Sequence, residues 1–188
     1  MKRKVTNEEE GSTLVLLVMI IAAVILMGTS LLNITMSELN IKQFNSEIKR
    51  AFYISESGLN NAYLRLYDLI CEASGYSLNK ADEYLLSVPG DIAGASNLFE
   101  DSYKLYIINN INEGVYDGGN PHTDMTNKGK LSFLEGMLTV KVNSKYVSES
   151  GIEGNTNADI IIMVPDYSKT KTGMTDFTSL IKFNGFVF

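Results

Sequence analysis

Residues 14–32 read LVLLVMIIAAVILMGTSLL and contain no charged side chain. As an α-helix rising about 1.5 Å per residue, this segment extends about 28 Å, close to the hydrocarbon thickness of a bilayer. The nearest charges are Glu10 before the segment and Glu38 after it. The sequence therefore predicts a transmembrane helix at residues 14–32.

Three kinds of amino-terminal segment share this pattern. A cleaved secretory signal needs small residues at its cleavage site, and Gly28, Thr29 and Ser30 match that requirement poorly. A plain single-pass anchor explains length and charge, with the basic residues at 2–4 favouring an amino terminus in the cytoplasm. In the third kind, a short polar leader is removed and the apolar helix stays on the mature protein.

The junction Glu10-Gly11-Ser12 favours the third kind, because a glycine ends the polar leader directly before the apolar run. Glycine lets the chain leave helical geometry and enter a protease as an extended strand. The junction resembles the class III signal of type IV prepilins, whose membrane peptidase cuts after the glycine and methylates the new amino terminus. The resemblance implies a leader at residues 1–11, cleavage between Gly11 and Ser12, and N-methylation of Ser12.

Two features near the junction differ from the usual family pattern. Glu8, Glu9 and Glu10 stand where leaders of the family usually carry basic residues. Leu16, the fifth residue of the implied mature chain, replaces the glutamate of major pilins. A lone carboxylate inside a bilayer is costly unless it is paired. PilX-type minor pilins and K-type secretion pseudopilins also have an apolar residue at this place, and the sequence resembles them in this respect. The resemblance implies a subunit at a fibre tip.

Apolar residues continue at helical spacing beyond the apolar run. They recur at steps of mostly three and four as far as Leu69, and no proline occurs before Pro89. We therefore predict one unbroken helix over residues 12–70.

Within this helix, the stretch AFYISESGL at 51–59 resembles the AF-x-x-AE-x-GL signature of PilX-type proteins. Ser55 and Ser57 replace two alanines of that signature. Small residues here would let another helix or a sheet approach closely.

The carboxyl-terminal part of the chain changes from helical to strand-like patterning. Glycines and Pro89 punctuate residues 71–101, which predicts a connecting loop region with one small helix. Residues 102–188 form a predicted β-rich domain. A long helix followed by four or five antiparallel strands is an α+β fold, in which the helix covers one sheet face. Pilins have this form. The predicted strands lie at 103–108, Met137–Val147, 160–164 and 180–188.

Composition argues against several functional classes. The net charge is -6 and lysine and arginine form no dense patch, so we expect no nucleic-acid partner. The lone His122, in a turn-rich loop with Asp117 and Asp124, does not fit EF-hand spacing, so no metal or other cofactor is expected. Neither a nucleophile motif nor a phosphate loop occurs, so we predict no catalytic residue. Cys71 is the single cysteine, which excludes an internal disulfide.

Together these features predict a non-enzymatic minor pilin of a type IV pilus or a related type II-like secretion pseudopilus. The resemblance implies two kinds of protein partner, the prepilin peptidase and other pilin subunits that contact the amino-terminal helix. It also implies a precursor in the inner or cytoplasmic membrane, with its amino terminus in the cytoplasm and its carboxyl-terminal domain outside. The mature subunit would lie in a cell-surface pilus or pseudopilus, where it helps to start assembly or presents a surface for adhesion. The alternative is a single-pass, membrane-anchored extracytoplasmic binding module that keeps residues 1–11.

Overall fold

The computed structural model of the protein describes residues 6–112, 121–125 and 131–187. The chain divides into two compact units, Met1–Glu47 and Ile48–Phe188. One long helix, α1 (Thr6–Ser87), begins in the first unit and ends in the second. The second unit also contains α2 (Ile92–Asn112), β1 (His122–Met125), β2 (Met137–Val147), β3 (Glu153–Met163), α3 (Tyr167–Lys171), a 3-10 helix (Phe177–Leu180) and β4 (Ile181–Val187).

The strands form one four-stranded antiparallel sheet in the order β1-β2-β3-β4. β2 and β3 pair along their whole length, from Met137 opposite Met163 to Val147 opposite Glu153. Side chains on both strands alternate between buried and more exposed positions, so one face is covered and the other is solvated. The bounds predicted for β2 are confirmed, and β3 begins before the strand predicted at 160–164.

The core lies where α1, α2 and the covered face of the sheet meet. Leu66 and Ile70 of α1 are fully buried in the same cluster as Ile107 of α2 and Val140 and Ile160 of the sheet. This arrangement confirms the predicted α+β fold, in which a long amino-terminal helix packs on an antiparallel sheet.

The connecting loop region predicted at 71–101 is wrong, because α1 and α2 occupy most of it. Ala73, Ser77 and Ala81 are fully buried and continue the inward face of α1 at steps of four. Their small or polar side chains weaken the apolar pattern in the sequence. The helix ends instead just before Gly90, which adopts a left-handed backbone conformation with φ of 89°.

The strand predicted at 103–108 is also wrong, because this segment lies inside α2. Phe99, Tyr103, Ile107 and Ile111 recur at every fourth position, and each is at most 1% exposed. This spacing places them on one face of a helix. The aromatic and β-branched residues favour a strand by propensity, but burial of one helical face against the core overrides that preference.

Asp91 fixes the start of α2. Its Oδ1 accepts a hydrogen bond from the backbone N–H of Gly94 at 2.9 Å, and its Oδ2 accepts one from the Tyr84 hydroxyl at 2.7 Å. The bond from Gly94, followed by the bond from Tyr84, lowers the pKa of the Asp91 carboxyl below its usual value. The carboxylate thus caps α2 and ties it to the end of α1.

Replacing Asp91 with alanine is expected to lower the thermal midpoint by roughly 2–4 °C near neutral pH, because α2 loses its cap. Since the folded-state pKa is lowered, the carboxylate stabilises the fold above its unfolded pKa of about 3.9. That contribution is lost as the pH falls through the folded-state pKa. Melting curves of wild type and Asp91→Ala should therefore converge on acidification, and a difference that is independent of pH would contradict the assignment.

Candidate functional site

The apolar run at 14–32 lies in the first unit with its side chains exposed on every side of α1. Leu14, Leu16 and Leu26 are 65%, 59% and 68% exposed. By length and composition this helix can cross a membrane, and its most apolar window has a mean hydropathy of 2.8. A helix that is apolar on every side needs lipid or other apolar helices around it. The segment is therefore compatible with membrane anchoring.

Two threonine hydroxyls, one inside this run and one just after it, bond to the backbone of the helix itself. Thr29 Oγ1 donates to the carbonyl oxygen of Leu26 at 3.0 Å, and Thr35 Oγ1 donates to that of Leu31 at 2.9 Å. Hydroxyl groups bonded in this way do not require water or a partner chain inside a bilayer. They are therefore compatible with a lipid-facing helix.

Gly11 and Ser12 both lie inside α1, which extends upstream of them to Thr6. A peptidase that reads an extended chain must therefore unwind the helix locally. Glycine in a helix interior costs about 1 kcal/mol relative to alanine, which makes unwinding easier at Gly11 than at its neighbours. Leu16 follows Ser12 by four residues and so shares its face of the helix. Cleavage and methylation at this junction stay predictions.

The stretch at 51–59 meets the sheet through small residues. Ala51 and Ser55 are fully buried, and the backbone at Ala51 lies close to Gly154 of β3. A Cβ atom on Gly154 of β3 would lie only 2.2 Å from the carbonyl oxygen of Ala51. Only glycine fits at this contact. The small residues of the stretch therefore allow close approach of the protein's own sheet.

A row of hydroxyl groups crosses the sheet opposite Gly58. Thr123, Ser144 and Thr156 occupy paired positions on β1, β2 and β3. A Cβ atom on Gly58 would lie 2.1 Å from Ser144 Oγ. Ser144 Oγ and Thr156 Oγ1 are buried and have no hydrogen-bond partner in the described part of the chain. The short distance shows that α1 packs closely on the sheet at Gly58.

The other residues considered as chemical sites do not converge. Cys71 is half-buried on α1, and burial raises the pKa of its thiol, which reduces the thiolate fraction at neutral pH. His122 and Asp124 lie in β1, whereas Asp117 falls outside the described residues. Across residues 6–112, 121–125 and 131–187, histidine, cysteine and carboxylate side chains form no cluster of three or more that could hold a metal ion.

No protein-family model, curated protein or solved structure matches the chain.

Proposed function

We propose that the protein is a minor pilin or pseudopilin, a non-enzymatic subunit that enters a type IV pilus or a related secretion pseudopilus through its amino-terminal helix. The observation that most supports this proposal is the organisation of α1. Its amino-terminal part is apolar and exposed on every side, and its later part packs on an antiparallel sheet. One helix thus supplies both an apolar surface for other helices and the support of a separate β-domain.

In this proposal the precursor lies in the inner or cytoplasmic membrane with its amino terminus in the cytoplasm. A prepilin peptidase removes residues 1–11 and methylates Ser12. Contacts with the helices of other subunits then replace contacts with lipid. These contacts depend on side-chain packing, because lipid is as apolar as the helix and gives no hydrophobic drive between helices.

Leu16 supports a position at the fibre tip or at the start of assembly. In the family that the sequence resembles, the glutamate at this place pairs with the amino terminus of a neighbouring subunit. The leucine side chain is uncharged, so it cannot form this ion pair. A subunit without a neighbour on that side avoids the cost of an unpaired carboxylate in an apolar surrounding.

Immunogold labelling with antibodies against the second unit tests the tip position. In cells with the matching assembly system, label should lie at fibre ends and not along the shaft. Label spread evenly along the shaft would contradict the tip assignment. The variant Leu16→Glu should allow incorporation into the shaft, whereas Leu17→Glu, which adds the same charge at the next position, should not.

A second candidate is a membrane-anchored extracytoplasmic binding module that keeps residues 1–11. The observation in its favour is that α1 runs without interruption through Gly11. The two candidates differ in whether the leader is present on the mature protein, so the mass of that protein separates them.

A further inference from the structure

A groove in the second unit lies between α1 and the edge strand β4. Its walls include Tyr53, Glu56 and Asn60, which follow one another on α1 at steps of three and four, and Phe183 of β4. The Tyr53 and Phe183 side chains are 64% and 38% exposed. The Phe183 ring is stacked on the Tyr63 ring of α1, with centroids 5.2 Å apart. The groove therefore presents one largely exposed aromatic ring, a second ring that is exposed in part, and one carboxylate.

Glu56 gives this groove a negative charge. Among the residues that the structure describes, the ion pairs of the second unit do not include Glu56. A carboxylate beside aromatic rings favours an ammonium or guanidinium group, which can pair with the charge and lie over a ring face. The complementary group is thus a lysine or arginine side chain.

The strand beside the groove has an open edge. β4 pairs with β3 from Ile181 opposite Ile162 to Val187 opposite Asn157, and no other strand in the described ranges pairs with β4. An edge strand presents unpaired N–H and C=O groups to any extended chain that approaches it. A strand added about 4.8 Å from β4 would point alternate side chains toward α1 and over the groove.

We propose that β4 and this groove form a docking surface for an extended segment of a partner protein, which adds as a fifth strand and places a lysine or arginine beside Glu56. The added backbone pairs with β4, and the aliphatic stem of the cationic side chain lies between Tyr53 and Phe183. This inference goes beyond the proposed function, because it uses the second unit alone and holds whether or not residues 1–11 are removed.

The test uses the full chain in lipid nanodiscs and the peptide acetyl-Val-Thr-Lys-Thr-Val-amide, whose lysine lies on the same face of a strand as both valines. Titration calorimetry should detect binding to the wild type. Glu56→Gln should weaken binding by about 1.4-fold to fivefold, the range for an exposed ion pair. Glu83→Gln, a carboxylate change at an exposed position elsewhere on α1, should bind the peptide like the wild type.

Three altered probes separate strand addition from simpler binding. A peptide with glutamate in place of lysine, and one with N-methyl groups on the amides that face β4, should each bind more weakly, the latter by about tenfold or more. Pentylammonium alone should bind more weakly than the peptide. Absence of peptide binding, equal binding by Glu56→Gln, or tolerance of N-methylation would each overturn the proposal. Pentylammonium binding as tight as that of the peptide would identify a small-cation pocket and overturn it too.

Discussion

Replacing Gly154 with valine is expected to destabilise the second unit by about 3 kcal/mol, because the new side chain meets helix backbone that cannot rotate away. The first added atom alone would lie 2.2 Å from the carbonyl oxygen of Ala51 and 3.0 Å from the backbone nitrogen of Phe52. Either α1 lifts from β3 or the strand shifts, and both changes open the core around Leu59. Urea denaturation of the full chain in detergent micelles measures the effect.

Gly75→Ala is the matched control for this substitution. A Cβ atom at Gly75 meets nothing within 4 Å, and the residue lies in the interior of α1. Alanine there should raise the free energy of unfolding by about 0.5–1 kcal/mol through its higher helix propensity. If Gly154→Val unfolds at the same urea concentration as the wild type, the close contact between α1 and β3 is wrong.

Phe99→Ala is expected to cost about 3–5 kcal/mol, the range for removing a large aromatic side chain from a core. The Phe99 side chain is 1% exposed, and its ring centroid lies 5.6 Å from that of Tyr167 and 6.4 Å from that of Tyr103. Its removal leaves a cavity between α2 and α3. Thermal and urea unfolding of the purified full chain would measure the loss.

Leu105→Ala serves as the control and also distinguishes a helix from a strand in this segment. In α2, Leu105 is 62% exposed, so its truncation should change stability by no more than about 0.5 kcal/mol. A strand would instead place Leu105 on the same face as Tyr103 and Ile107. A large loss of stability in Leu105→Ala would therefore contradict the helix.

The sequence predicts the elements whose pattern is long and regular. The helix predicted over 12–70 lies within α1, which continues to Ser87, and strict alternation at Met137–Val147 predicts the bounds of β2. Prediction fails where buried positions carry small or polar side chains, as at Ser77 and Ala81. Such side chains do not produce the apolar periodicity that would identify the inward face of the helix. It fails again in α2, where local strand propensity is overridden by contacts with residues that are distant in sequence.

Some candidate sites can likewise be predicted from the sequence, whereas others require the tertiary fold. The Gly11-Ser12 junction and Leu16 are local patterns that can be read from the chain. The groove depends on Phe183 lying beside the residues near Glu56, although more than a hundred positions separate them in the sequence. A glycine inside a strand indicates close approach, but only the tertiary fold identifies Ala51 as the partner of Gly154.

The mass and amino-terminal sequence of the mature protein test the central claim most directly. The protein should be produced with and without a prepilin peptidase, and Gly11→Val should be examined under both conditions. With the peptidase, the wild type should begin at an N-methylated Ser12, whereas Gly11→Val and all chains made without the peptidase should retain residues 1–11. Retention of residues 1–11 by the wild type in the presence of an active peptidase would contradict the pilin account.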